Sequence, residues 1–182
     1  LRVEGSDWVT FLDAKHYFDG EIMRTGLQRI DGGSYLFDDA GALQSGWVTW
    51  MGNTYYTDAE GRVQSGWQFL DGSWYYFDSA QGMLTGVQSV GGGSHFFNKQ
   101  GQLATEGWVN TGSGRLYFTG ERKKSGSVSG SKMLTGWRRV DEQLRYFDPE
   151  NGLMYTGSEP KLNGKNQQWY NVDRNGVATE KD

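Results

Sequence analysis

The feature that most constrains the fold is a repeat of about 20 residues that returns along the chain. Each copy carries a glycine that follows Thr, Ser or Glu and usually precedes Trp. The glycines are 20 or 21 residues apart, except for one interval of 29. A pattern that returns this often predicts a stack of similar small units rather than one globular core. We name each unit after its glycine, which is position 0: Gly26, Gly46, Gly66, Gly86, Gly107, Gly136 and Gly157.

The residues that follow each glycine also recur. Position +1 is often Trp, positions +10 and +11 are mostly aromatic, and position +12 is usually Asp. The stretch before the first glycine keeps this order, with Trp8 at +1 and with Tyr17 and Phe18 at +10 and +11. The last stretch fits loosely, with Trp169 and Tyr170 displaced. Because 15% of the residues are aromatic, we expect the units to pack through a spine of the rings at +10 and +11.

The Gly66 unit shows the structure that one repeat predicts. Residues 67–70 and 74–77 are short runs of β-forming residues, and Asp71-Gly72 between them is a turn in which glycine tolerates a positive φ. The matching turns are predicted at Asp31-Gly32, Gly52-Asn53 and Gly92-Gly93. A lone hairpin is marginally stable in water, so the hairpins must stack on one another.

The sequence therefore predicts an all-β fold, an elongated β-solenoid of about eight stacked β-hairpins. We expect a single repeat domain over residues 1–182. Its units are predicted at about 7–25, 26–45, 46–65, 66–85, 86–106, 107–135, 136–156 and 157–182.

An insertion at residues 119–132 accounts for the one long interval. It is rich in Gly and Ser, contains a small basic cluster and has Val128 as its one apolar residue. This composition is typical of a solvated surface loop that the fold does not require, and a specific contact loop is the alternative.

Composition excludes several classes. The chain has no Cys, which excludes a disulfide framework, and no apolar run approaches the ~18 residues of a membrane span. Its formal net charge of −4 argues against a nucleic-acid partner. No pattern indicates a cofactor.

The residues that carry catalysis in other proteins occupy repeat positions here. His16 and His95 both fall at +9, where other units have Tyr. The Asp at +12 recurs in most units, so we expect it to accept hydrogen bonds from backbone N–H groups of a turn. No zinc-ligand spacing, phosphate loop or nucleophile motif occurs. The sequence therefore predicts that the chain is not an enzyme and has no metal site.

The repeat resembles the cell-wall-binding repeats of secreted bacterial proteins, and residues 66–85 (GWQFLDGSWYYFDSAQGMLT) nearly match its consensus. This superfamily includes the choline-binding repeats of streptococcal surface proteins and autolysins, the glucan-binding repeats of glucansucrases and the receptor-binding repeats of clostridial toxins. The resemblance implies a solenoid that binds ligands between consecutive hairpins. It also implies an extracellular attachment module, secreted or on the bacterial surface.

The resemblance also implies where choline would bind. Ring faces attract a quaternary ammonium. In choline-binding relatives, the resemblance implies a cage formed by residues that correspond to Trp at +1 and +8 of one unit and a ring near +10 of the next. Carried over, this set is complete only as Trp67, Trp74 and Phe96. The Gly46 unit offers Trp47, Thr54 and Tyr76, and the Gly107 unit offers Trp108, Arg115 and Tyr146, where Arg would repel a cation. The candidate ligand-binding residues are Trp67, Trp74, Phe96, Trp47, Tyr76, Trp108, Tyr146 and Trp137.

The sequence is also compatible with other ligands. Sugars stack on Trp and Tyr, and polar residues near +2 would then hold their hydroxyls: Gln28, Gln68, Gln88 and Arg138. An adhesin or receptor-binding module that contacts a host protein or glycan is the alternative function. The oligomeric state is also open, since exposed end hairpins could pair with a second copy.

Overall fold

The computed structural model describes residues 5–120 and 132–181, which contain strands and no helix. The all-β prediction is therefore confirmed for this part of the chain. The described residues fall into two compact lobes. The first lobe comprises residues 5–85 and 99–102, and the second comprises 86–98, 103–120 and 132–181.

The strands are short. In the first lobe they are β1 Ser6–Phe11, β2 Ala14–Asp19, β3 Ile22–Met23, β4 Gly26–Ile30, β5 Gly33–Phe37, β6 Gly46–Trp50, β7 Asn53–Thr57, β8 Gly66–Leu70, β9 Ser73–Asp78 and β10 Gly82–Met83. In the second lobe they are β11 Gly86–Val90, β12 Gly93–Phe97, β13 Gly107–Thr111, β14 Gly114–Thr119, β15 Lys132–Met133, β16 Gly136–Val140, β17 Gln143–Phe147, β18 Lys161–Asn163, β19 Gln168–Val172 and β20 Ala178–Glu180.

Within the described residues these strands form eight small antiparallel sheets, each built on a hairpin. Four sheets have a third strand, namely β1-β2-β3, β8-β9-β10, β13-β14-β15 and β18-β19-β20. In four other hairpins a single bridge lies at the equivalent place: Phe37 with Leu43, Thr57 with Val63, Phe97 with Leu103, and Phe147 with Met154. The predicted boundaries of the repeat units and the single domain stay predictions.

The hairpin of the Gly66 unit has the predicted turn. β8 begins at Gly66, one residue earlier than expected, and pairs with β9 across Asp71-Gly72. Both turn residues have positive φ, 49° for Asp71 and 79° for Gly72. Positive φ at both central residues is the type I′ geometry, whose twist matches that of the paired strands.

Two predicted turns are wrong by one residue. The turn of the Gly46 unit is Met51-Gly52 rather than Gly52-Asn53, and that of the Gly86 unit is Gly91-Gly92 rather than Gly92-Gly93. In each case glycine takes the second turn position with φ of 80°. The pairing of Trp50 with Asn53 leaves Met51 and Gly52 as the two turn residues. Met51, although not a glycine, therefore has a φ of 49°.

Burial alternates along the second strand of most hairpins, which corrects the predicted spine, although Leu36 at +10 of the Gly26 unit is also buried. In β9, Tyr75 at +9 and Phe77 at +11 are 6% and 1% exposed, whereas Tyr76 at +10 is half-buried. Neighbouring side chains on a strand point to opposite faces, so +9 and +11 share the buried face. The buried residues at these two positions are His16, Tyr35, Phe37, Tyr55, Thr57, Tyr75, Phe77, His95, Phe97, Leu116, Phe118, Arg145 and Phe147.

The glycine near the end of a unit fits against an apolar side chain of the preceding unit. A Cβ on Gly61 would lie 2.6 Å from Leu43, and one on Gly101 would lie 2.2 Å from Met83. Both glycines also have positive φ. A larger residue would therefore collide with its neighbour and strain its own backbone, which explains why glycine stands at +15 of these units.

The insertion leaves and rejoins the sheet at paired residues. Phe118 pairs with Met133 and Thr119 pairs with Lys132, as Phe77 and Asp78 pair with Met83 and Gly82 in the Gly66 unit. Residues 121–131 lie outside the described part of the chain, so their predicted role as a surface loop stays a prediction.

We predict that the insertion can be shortened without loss of stability. Replacing residues 120–131 with the linker Ser-Ala-Gln, as at 79–81, should change the free energy of unfolding by less than about 1 kcal/mol, because loop closure depends weakly on length. Urea unfolding followed by Trp fluorescence measures this change, and Val128→Ala serves as a second neutral variant. A loss above about 2 kcal/mol would instead show that the insertion packs on the sheets.

Candidate ligand-binding clefts

Each Trp at +1 lies directly opposite a Tyr of its own hairpin. In β6 and β7, for example, Trp47 pairs with Tyr56, and their ring centroids are 5.2 Å apart in an edge-to-face arrangement. The other pairs have centroids 5.0 to 5.2 Å apart: Trp8 with Tyr17, Trp67 with Tyr76, Trp108 with Tyr117, and Trp137 with Tyr146. Such ring pairs stabilise a hairpin beyond the area that they bury.

The same Trp also contacts the buried rings of the next hairpin. Trp47 lies 5.0 Å from Tyr75 and 5.7 Å from Phe77, centroid to centroid. Trp8 has the matching contacts, 4.9 Å to Tyr35 and 5.8 Å to Phe37. The contact thus joins position +1 of one unit to positions +9 and +11 of the next.

The sequence predicts that the Trp at +1 lies beside the ring at +10 of the next unit. The structure instead places the rings at +10 in their own hairpins. Tyr76, expected beside Trp47, lies opposite Trp67 in its own hairpin. Tyr146, expected beside Trp108, lies opposite Trp137. The reason is again the alternation of the strand: +10 points to the face that bears +1, and the next unit presents +9 and +11.

The cleft at Trp47 combines an accessible ring with a firm support. The Trp47 side chain is 42% exposed, although Tyr75 and Phe77 behind it are almost completely buried. Tyr56 forms a half-buried side wall. Position +8 of this unit is Thr54, a small residue. A ligand that arrives from solvent would therefore meet the faces of aromatic rings, which carry partial negative charge.

Trp74 lies beside Trp67 in the Gly66 unit. Their centroids are 6.4 Å apart with the ring planes at 88°, and Trp74 also contacts the exposed Phe69 at 5.1 Å. These residues at +1, +3 and +8 lie on one face because +1 pairs with +10 and +3 pairs with +8. Phe96 belongs to the second lobe, so the three-ring cage of Trp67, Trp74 and Phe96 stays a prediction.

Two other clefts already hold positive groups of the chain itself. The Lys15 Nζ lies 4.4 Å from the centroid of the Trp8 ring. At Trp108, the guanidinium carbons of Arg115 and Arg145 lie 4.1 Å and 5.1 Å from the ring centroid. Lys15 is a residue that the sequence analysis missed. The repeat position could have identified it, because Lys15 occupies +8, as Arg115 does.

The ring of Trp137 is half-buried and contacts the last hairpin. It lies 5.0 Å from Tyr170, and its Nε1 donates a hydrogen bond of 3.2 Å to the Leu162 carbonyl. The Lys161 Nζ lies nearby, 4.3 Å from the ring centroid of Tyr155 and 5.7 Å from that of Tyr146.

The polar residues at +2 do not lie on the Trp face of the hairpin. Gln28 pairs with Tyr35 and Gln68 with Tyr75, so +2 shares the face of the buried spine. The Gln28 amide donates to the Thr25 carbonyl at 2.6 Å, and the Gln68 amide donates to the Ser65 carbonyl at 3.2 Å. Their donors therefore bind the backbone, which weakens the expectation that they hold sugar hydroxyls.

The Asp at +12 caps a turn, as predicted. Asp78 Oδ1 accepts hydrogen bonds of 2.9 Å from the backbone N–H groups of Ala80 and Gln81, and these bonds lower the pKa of Asp78. Asp38 and Asp58 accept two backbone hydrogen bonds in the same way. A role repeated along the chain is a property of the scaffold.

Both histidines are buried. The His16 ring stacks on Phe11 with centroids 3.8 Å apart, and His95 is 6% exposed. Burial lowers the pKa of His95 because it disfavours the imidazolium. Among the described residues, no group of three or more His, Asp or Glu could hold a metal ion, and no helix is long and apolar enough to cross a membrane.

Comparison with known families matches two consecutive stretches, residues 45–62 and 65–80, to a family described as "Putative cell wall binding repeat". These stretches cover most of the Gly46 and Gly66 units, including Trp47 and Trp74. The resemblance to bacterial cell-wall-binding repeats is thereby confirmed. No curated protein sequence matches the chain significantly.

Solved structures show the same relationship. The chain is similar to choline binding protein F of Streptococcus pneumoniae, solved in the presence of a peptidoglycan analogue, with 29% identity, a TM-score of 0.70, and coverage of 91% of this chain and 55% of that one. It is also similar to CbpJ of S. pneumoniae, with 24% identity, a TM-score of 0.74, and coverage of 98% of this chain and 66% of that one. For the choline-binding domain of CbpL of S. pneumoniae, the identity is 23%, the TM-score is 0.57, and the coverage is 86% of this chain and 78% of that one. The last two likenesses show a shared fold. The chain thus spans 55% of the length of choline binding protein F and 66% of that of CbpJ.

We predict that His95 makes stability pH-dependent. The unfolded chain binds a proton at His95 near pH 6.5, whereas the folded chain does so only at a lower pH. The free energy of unfolding should therefore fall as the pH drops below about 6.5, through the lowered pKa of the folded state. His95→Tyr, which copies the Tyr at +9 of other units, should reduce this loss in urea unfolding at pH 7.5 and pH 5.0. Equal losses in the two proteins would contradict the prediction.

We also predict that Trp74 serves a ligand rather than the fold. Position +8 is Ser or Thr in three other units, so Trp74→Ala should leave the free energy of unfolding nearly unchanged while weakening choline binding beside Trp67 roughly tenfold. Phe77→Ala, which removes a buried ring, should cost about 3–5 kcal/mol. Titration calorimetry and urea unfolding measure the two effects, and unchanged choline binding by Trp74→Ala would refute the role.

Proposed function

We propose that this chain is a non-catalytic attachment module that binds the choline groups of a bacterial cell-wall polymer. The observation that carries the proposal is the cleft at Trp47, where an accessible indole is held by Tyr56 and by the buried Tyr75 and Phe77. A quaternary ammonium has no N–H to donate, so aromatic faces rather than hydrogen-bond acceptors are the groups that recognise it.

The rigidity of this cleft favours binding. Tyr75 and Phe77 belong to the buried face of β9, so the support of Trp47 exists before a ligand arrives. A preformed aromatic wall loses little conformational freedom on binding, and more of the cation–π attraction then appears as affinity.

The solved relatives support the same ligand class. One is called a choline binding protein and was solved in the presence of a tetrasaccharide-pentapeptide analogue of peptidoglycan, and another is a choline-binding domain. For this chain we accordingly propose an extracellular location, secreted or on the bacterial surface, where such polymers are found.

The repeated architecture suits a polymeric ligand. We propose that the hairpins continue as an elongated solenoid of about eight units, which would present its open clefts at regular intervals. Each cleft alone would bind a choline group weakly. A polymer that carries many choline groups would engage several clefts together, and the effective concentration of the second group would raise the overall affinity.

We predict that Trp47→Ala weakens binding to choline. Loss of the central ring should lower affinity at this cleft on the order of tenfold or more, since a cation held by several rings gains about 2 kcal/mol. Retention on a choline-derivatised matrix and elution by free choline measure the effect, and urea unfolding establishes that the variant is folded, because Trp47 also contacts the next hairpin. Met51→Ala, which truncates an exposed residue at the turn of the same hairpin, is the control and should bind as the wild type does.

The same experiment separates the alternative ligands. Retention on dextran with no retention on the choline matrix would favour a glucan ligand instead. Binding to neither matrix, and none to purified cell wall, would favour an interaction with a host protein or glycan.

A further inference from the structure

We infer that the side chain at +8 decides whether a cleft is open, and that Lys15 and Arg115 are built-in cations that close the clefts at Trp8 and Trp108 against external ammonium ligands. The inference rests on the proposed function, since it concerns which of the aromatic clefts accept choline. It adds that some clefts are occupied by the chain itself.

The strongest support is the close likeness of two clefts in the first lobe. Trp8 lies 5.1, 4.9 and 5.8 Å from the ring centroids of its three aromatic neighbours. The corresponding distances for Trp47 are 5.2, 5.0 and 5.7 Å. The two ring frames are therefore equivalent. What differs is position +8, which is Lys15 beside Trp8 and Thr54 beside Trp47.

Pairing within the hairpin explains why +8 has this control. Trp8 pairs with Tyr17 at +10, and Thr10 pairs with Lys15, so positions +1, +3, +8 and +10 share one face. A long side chain at +8 consequently reaches the ring at +1. The Lys15 Nζ lies 4.4 Å from the Trp8 centroid, within the range of a cation–π contact. Because this ammonium is tethered, it competes with free ligands at a high effective concentration.

The cleft at Trp108 is closed in the same way and more firmly. Arg115 at +8 lies over the ring, and Arg145, at +9 of the next unit, approaches the same ring. Arg145 is 7% exposed and is held in place by hydrogen bonds to the Asn175 carbonyl and to Gln143 Oε1. A ligand cation would have to displace Arg115 and would meet the positive charge of Arg145.

The consequence is that aromatic composition overstates the number of binding sites. A unit with Trp at +1 and a small residue at +8 offers an open site. A unit with Lys or Arg at +8 keeps the ring contacts that stack the hairpins, but its ligand position is filled. The chain thereby separates the structural role of the Trp from its ligand-binding role.

Exchange of the +8 residues between the two equivalent clefts tests this inference. The protein is labelled with ¹⁵N on its Trp indoles, the signals of Trp8 and Trp47 are assigned with single Trp→Phe variants, and choline chloride is added at constant ionic strength. In the wild type, Trp47 should shift with choline and Trp8 should not. In Lys15→Thr, Trp8 should gain a choline-dependent shift, with affinity comparable to that of Trp47.

The reverse variant provides the second half of the test. Thr54→Lys should weaken choline binding at Trp47 about tenfold by filling the cleft with its own ammonium. Lys99→Thr is the matched control, because it removes a positive charge from an exposed site of the same lobe and should leave both indoles unchanged. Dispersed indole signals in each variant verify that it is folded.

The outcomes separate the two hypotheses. If Trp47 of the wild type does not respond to choline, the proposed function and this inference fall together. If Trp47 responds, but Trp8 of Lys15→Thr stays silent and Thr54→Lys binds as the wild type does, the inference is overturned and the proposed function stands.

Discussion

The contact on which the rest of the structure depends is that of the Trp at +1 with two sets of rings. It pairs with a Tyr of its own hairpin and contacts the buried rings at +9 and +11 of the next hairpin, as Trp47 does with Tyr56, Tyr75 and Phe77. A two-stranded hairpin alone buries too little apolar surface to be stable. In the units that have Trp at +1, this ring supplies the missing contact between neighbours in a chain that is poor in aliphatic residues; the Gly26 and Gly86 units have Leu27 and Val87 there instead.

Strand residues alternate between two faces. The contact of the Trp at +1 with the next hairpin therefore helps to form the core on one side and leaves a cleft on the other. The residues at +9 and +11 form the buried face, and those at +1, +3, +8 and +10 form the opposite one. The buried face of one hairpin supports the Trp of the preceding hairpin, which leaves the rest of that indole accessible. Binding surface is therefore a direct product of the way in which hairpins stack, and the chain needs no separate loop to build it.

Constant and variable positions of the repeat carry different roles. The glycine at the second turn position, the Asp that accepts two backbone hydrogen bonds and the buried +11 residue recur in most hairpins because they serve the turn and the packing of the scaffold. Position +8 varies among Lys, Ser, Thr, Trp, Arg and Leu, because the backbone imposes no single residue there. Variation at this one position can open, wall or fill a cleft while the scaffold stays the same.

The sequence by itself determined the repeat, the all-β hairpins, the Asp71-Gly72 turn and the capping role of Asp78, because each depends on local backbone geometry and on residues close in sequence. It did not determine which rings are buried. Runs such as Tyr75-Tyr76-Phe77 place rings on both faces, so the hydrophobic pattern that normally identifies the inner face carries no information. The sequence also did not predict that Lys15 lies over the ring of Trp8. The tertiary structure decided these points, because only the stacking of one hairpin on the next selects +9 and +11 as the buried face and brings the side chain at +8 over the indole at +1.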